Sequence, residues 1–170
     1  MVQHRLPMLP SAGEVSWVAS VNGVKKQLNI VNNAILLDVL RDQAGSLGTK
    51  RGCDMGTCGC CSVLINGEPK LSCLTLAAEA EGCEITTVEG LADGHHLHPI
   101  QEMFAECGGS QCGFCTPGIL IAAKALLDRN NDPTESEVRY WLAGNLCRCT
   151  GYDKIIKAVM ETAKDIRETA

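Results

Sequence analysis

The chain has 170 residues, enough for one or two small domains with a real core. A formal charge of -5, from 15 Lys+Arg against 20 Asp+Glu, excludes the basic surface that nucleic-acid binding needs, and 45% hydrophobic content excludes a disordered chain. With two each of Phe, Trp and Tyr the core must be mostly aliphatic, while eleven cysteines demand disulfides, bound metal or thiol chemistry.

In chain order, the opening MVQHRLPMLPSAGEVSW has two prolines and no continuous apolar run, so it reads as a loose arm over residues 1–14 rather than an export signal. No apolar run reaches membrane-spanning length. Ser16–Val21 and Val24–Ile30 read as strands joined at Asn22-Gly23, a strong hairpin signal. Ile35–Gln43 is helix-like, with Ile35, Leu36, Val39 and Leu40 on one face. After a Gly- and Cys-rich loop from Gly52 to Cys61, Ser62–Ile65 and Lys70–Leu76 read as a second hairpin around Asn66-Gly67. Glu84–Val88 is a short last strand.

The character changes at Glu89–Gly94, where helical periodicity takes over. His98-Pro99 opens a helix, because proline at the first helical position gives up an N–H that would have no helical partner. Pro117–Leu127 reads as a second helix. Asp132-Pro133-Thr134 with Glu137 reads as the capped start of a third, running to about Ala143. Tyr152–Arg167 is the fourth, with Ile155, Ile156, Val159, Ala163 and Ile166 at helical spacing. These elements predict an α+β chain: a small β domain over 15–90, then a helical domain over 91–170.

Eight cysteines fall into two sets of four. Cys53-x4-Cys58-x2-Cys61, then eleven residues, then Cys73, has the plant-ferredoxin [2Fe–2S] spacing. Three thiolates from nine residues must converge, so the backbone curls tightly, and Gly52, Gly56 and Gly59 permit the curl. The second set is Cys112-x2-Cys115 and, after thirty-one residues, Cys147-x-Cys149. These thiols sit next to predicted helix starts, where N–H groups favour an anionic cluster. Two cysteine pairs can also make a four-thiolate zinc site, so spacing leaves zinc open for this set. Eleven is odd and no export signal is expected, so the thiols should be reduced and the protein cytoplasmic.

The segments GCDMGTCGCCSVLINGEPKLSCLTLA, SQCGFCTPGILIAAKALL and LAGNLCRCTGYDKIIKAV give the chain a specific likeness. From about Val15 to Ala163 it resembles the small iron–sulfur subunit of the xanthine oxidase family of molybdenum hydroxylases. The resemblance implies an N-terminal β-grasp plant-type ferredoxin domain followed by a four-helix bundle, each with one [2Fe–2S] cluster. It implies Cys53, Cys58, Cys61 and Cys73 as ligands of the first cluster and Cys112, Cys115, Cys147 and Cys149 as ligands of the second. It also implies that Gln111 and Cys149 approach a molybdopterin in a large partner subunit. Electrons would then pass to the second set, to the first set, and on to FAD in a medium subunit, in a dimer of heterotrimers. The substrate class implied is an aldehyde, a purine or an N-heteroaromatic, oxidised by hydroxylation. A 4-hydroxybenzoyl-CoA reductase-type enzyme would use the same chain in reverse, and a free-standing ferredoxin-like carrier is a further alternative. The chain itself carries no substrate or molybdenum residues.

Cys60, Cys83 and Cys107 read as small buried or half-buried thiols, although Cys60, beside Cys61, could compete as a ligand. His95, His96 and His98 suggest either a metal site or, more simply, a polar linker and a helix start. Arg148, between two thiols, is either a salt-bridge partner or a fixed charge favouring a reduced cluster. Lys50 and Arg51 either steer an acidic partner or belong to a solvated loop.

Overall fold

The computed structural model describes residues 13–169, so nearly all of the expected arm lies outside the described residues. Five strands form one mixed sheet: β1 Glu14–Val21, β2 Val24–Val31, β3 Ser62–Ile65, β4 Glu68–Leu71 and β5 Glu84–Thr86, in the order β2-β1-β5-β3-β4. Both expected hairpins are present. Asn22 and Gly23, and Asn66 and Gly67, all take positive φ, as a two-residue turn matched to strand twist requires. β1 alternates cleanly, with Trp17, Ala19 and Val21 buried and the residues between them less so.

The centre of the sheet is the parallel pair β1–β5, Ser20 opposite Glu84 and Val21 opposite Ile85. Parallel neighbours need a long crossover. Here the crossover contains α1, Leu36–Asp38, continued by a wider turn over Val39–Gln43, and the whole cysteine loop. Leu36, Val39 and Leu40 pack under the sheet against Trp17, Ile30, Val63 and Ile85. The Trp17 indole donates to the Ala77 carbonyl at 2.7 Å, so the one polar atom of this large core residue is satisfied.

Two strands are shorter than the sequence suggests. β4 ends at Leu71 because Ser72 turns back, donating from its N–H (3.2 Å) and its hydroxyl (2.7 Å) to the Cys61 carbonyl. β5 ends at Thr86, where Asn22 accepts from the Thr87 N–H at 2.8 Å and a short helical turn follows over Val88–Gly90.

Four further helices follow: α2 Pro99–Glu106, α3 Thr116–Arg129, α4 Glu135–Trp141 and α5 Asp153–Thr169. Thr134 and Glu137 form the expected capping box. Helix α3 is buried on almost every side. It packs against the other helices and also against Leu64 of β3, so the helical core extends under the strand half through Leu64, Cys58 and Cys60. No helix among the described residues is long and apolar enough to cross a membrane.

Candidate metal centres

The first four thiols converge on the loop between α1 and β3. Gly56 (φ 72°) and Gly59 (φ 70°) turn the backbone inward. The N–H groups of Met55, Cys58 and Thr57 point at the Cys53 sulfur and, with a bond from Cys58, hold its pKa down to about 6. Gly52 leaves the room in which sulfurs meet: a Cβ there would lie 2.9 Å from Cys58 Sγ and 3.0 Å from Cys60 Sγ. Cys61 and Cys73 face one another because Ser72 anchors its strand end to the Cys61 carbonyl. Buried Leu37 closes this side.

The second set lies at the opposite end of the same contact region. Cys115 immediately precedes α3, while Cys147 and Cys149 lie in the turn before α5. Cys149 Sγ and Cys112 Sγ are 3.6 Å apart, and Cys115 bonds Cys147. Cys147 Sγ is 3.1 Å from the Thr150 hydroxyl. A recess of about 300 Å³ joins the sets, with Gly52, Cys58 and Cys60 at one end and Cys112, Cys115, Cys147 and Cys149 at the other.

Each of the eight thiols faces another of its own set: Cys53 with Cys58, Cys61 with Cys73, Cys112 with Cys149, and Cys115 with Cys147; Cys58 also bonds the spare thiol Cys60. Two irons that each take two thiolates need this arrangement. The electrostatics agree. Burial, then hydrogen bonding and neighbouring thiolates, push Cys73 and Cys115 up to about 12. Each set can be fully ionised near neutral pH only beside compensating positive charge, which iron supplies. The donor set and the glycine-lined space thus fit iron–sulfur clusters.

The loops touch backbone to backbone. Leu146 N–H donates to the Cys58 carbonyl at 2.9 Å, and the Asn145 side-chain amide donates to the Gly59 carbonyl at 3.1 Å. Tyr152 braces the turn, its hydroxyl accepting from Cys147 N–H at 2.7 Å and donating to the Asn145 carbonyl at 3.1 Å.

Both family models that match describe iron–sulfur proteins: a 2Fe-2S iron-sulfur cluster binding domain over residues 16–105 and a [2Fe-2S] binding domain over residues 87–160. The xanthine dehydrogenase iron-sulfur-binding subunit of Escherichia coli O157:H7 is 48% identical over 147 residues, 85% of this chain and 92% of that one. The chain belongs to the iron–sulfur subunits of the xanthine oxidase family of molybdenum hydroxylases. The [2Fe-2S] binding domain model spans all four thiols of the second set, which favours an iron–sulfur cluster over zinc there. The quinoline 2-oxidoreductase structure from Pseudomonas putida 86 matches with a TM-score of 0.88 and 44% identity, covering 91% of this chain and 97% of that one. The aldehyde oxidoreductase of Megalodesulfovibrio gigas is 46% identical over 152 residues, but the chain spans only 17% of that protein's length.

The remaining candidates divide. Cys60 is buried, while Cys83 and Cys107 are half-buried against the two cores. Arg51 is tied to Asp54 at 2.8 Å and to Asp38, and Lys50 donates to the Leu47 carbonyl at 2.6 Å. Both cations therefore serve their own loop. His98 caps α2: its Nδ1 accepts from Ile100 N–H at 3.3 Å, while Gln101 accepts from the His98 N–H at 3.0 Å. Gln111 and Arg148 are exposed. The sequence reading missed Asn145, Ser72 and the bracing role of Tyr152. Their only signal was position inside the LAGNLCRCTGY and KLSCLTL segments.

Proposed function

We propose that Cys53, Cys58, Cys61 and Cys73 hold one [2Fe–2S] cluster and that Cys112, Cys115, Cys147 and Cys149 hold the second. The observation that carries this is that each of the eight thiols faces another thiol of its own set. On this reading residues 15–90 form the β-grasp ferredoxin domain and residues 91–170 the four-helix cluster domain, with α1 as part of the first. The clusters supply one-electron steps between a molybdopterin in a large partner subunit and FAD in a medium one.

This chain's own residues give the route a direction. Cys112 and Cys149 are exposed, beside exposed Gln111, Phe114 and Leu146. An exposed apolar patch around two thiols is a docking face, and Gln111 supplies an amide to bond the pterin there. On the first loop, exposed Met55 and Leu74 flank the turn at Gly56, where a Cβ would meet Leu74 Cδ1 at 2.3 Å. That face suits the medium subunit. The hydrogen bonds to Cys53 and the burial of Cys58, Cys61 and Cys73 set the environment that tunes the first cluster's potential.

The assembly is a cytoplasmic dimer of heterotrimers that hydroxylates an aldehyde, a purine or an N-heteroaromatic. The relatives named for aldehyde, xanthine and quinoline oxidation support that substrate range. Metal and sulfide counts on the native complex test the assignment. We expect about four irons and four acid-labile sulfides per copy of this chain, with molybdenum in the co-purifying large chain. Zinc in place of sulfide, or a chain that purifies alone, contradicts it.

A further inference from the structure

Resting on the reading that both thiol sets hold clusters, we propose that Asn145 and Tyr152 are positioning residues for electron passage between them. Together they hold the Cys58 loop and the Cys147 loop at hydrogen-bond contact.

Cys58 belongs to the first set and Cys147 to the second. The Leu146 N–H donates to the Cys58 carbonyl at 2.9 Å, and Leu146 is bonded directly to Cys147. One hydrogen bond is therefore the only break in the chain of bonds from one set to the other. The Leu146 side chain does not fix that bond, because it is 52% exposed.

Its neighbours do. Asn145 is 6% exposed and reaches across 86 residues of sequence to the Gly59 carbonyl. Its own carbonyl accepts from the Tyr152 hydroxyl, which in turn accepts the Cys147 N–H. One phenol oxygen thus joins both sides of Leu146. Tyr152 holds φ at 71°, a left-handed conformation rare for a bulky residue and maintained only where surroundings over-determine it. Its N–H bonds Thr150, whose hydroxyl faces Cys147 Sγ.

The partner loop has no slack either. A Cβ on Gly59 would lie 2.5 Å from both Asn145 Nδ2 and the Gly144 carbonyl, and a Cβ on Gly118 would lie 2.1 Å from the Gly59 carbonyl. Gly59 is wedged between helix α3 and the Asn145 turn. The step it serves moves one electron and changes no covalent bond or proton.

The test uses the native complex carrying Asn145→Ala or Tyr152→Phe. Iron content and the g-values of both clusters are read together with their mutual spin–spin splitting and the rate at which reduction spreads from one to the other. We expect full iron and unchanged g-values, a narrower splitting, and a transfer rate lower on the order of tenfold, as loss of an outer-shell partner produces. A merely structural clip would lower thermal stability and leave splitting and rate alone. If Asn145→Ala fails to retain iron, Tyr152→Phe decides, since it deletes a single oxygen. Two wild-type signals with an unchanged rate and splitting in Tyr152→Phe overturn this proposal alone. A wild type without two signals overturns the cluster reading and this proposal with it.

Discussion

The two thiol sets answer the same chemical demand in opposite surroundings. In the first, Cys58, Cys61 and Cys73 are buried behind a loop that supplies its own N–H groups, and Leu37 seals the side. In the second, Cys115 is buried at the head of α3 but Cys112 and Cys149 reach the surface. A loop that curls around its thiols protects them by local backbone. Thiols gathered from two turns are covered by this chain only on the α3 side, where Cys115 lies. On the proposed reading, that exposed side of the second set is the one that meets the large subunit.

The largest effect should come from breaking one set alone. Cys73→Ser should abolish the first cluster's signal and remove about half of the iron, since each cluster carries two. The second signal should survive, and equal loss of both would show that the sites are not separate. Next, Gln111→Ala should keep both signals while slowing reduction by substrate, on the order of tenfold. Unchanged substrate reduction would place the pterin contact elsewhere.

A third change tests the packing between the halves. Gly118→Ala should lower stability by about 1–3 kcal/mol through overpacking, read as a fall in the thermal midpoint. An unchanged midpoint would show that the Gly59 carbonyl can yield.

The smallest effect lies far from both sets. Burial, then the charge of Lys124, lowers the His98 pKa against the opposing pull of Asp128. Neutral Nδ1 is the cap, so the folded state resists protonation. The cap's contribution, about 1 kcal/mol, is present above the unfolded value near 6.5 and is lost as pH falls through the lower folded value. His98→Asn should keep the cap and flatten that pH dependence, as denaturant titrations at two pH values would show.

Local chemistry was the legible part of this molecule. Asn22-Gly23, Asn66-Gly67 and the Thr134–Glu137 box were readable because each acts within four residues. The two cysteine sets were readable as spacing. The order of the sheet, with β5 inserted between β1 and β3, was not, because parallel pairing is decided by packing across a long crossover. The strand expected over Lys70–Leu76 was cut at Leu71 by bonds from Ser72 to Cys61, eleven residues away. That Cys112 faces Cys149, that Cys115 faces Cys147, and what Asn145 does were invisible for the same reason: these contacts join residues tens of positions apart.

The central claim is that each thiol set holds its own [2Fe–2S] cluster, and EPR of the dithionite-reduced native complex tests it most directly. Two distinct signals, each integrating to about one spin per copy of this chain, are the expected result. One signal, or a silent spectrum from a sample that contains zinc, would contradict it.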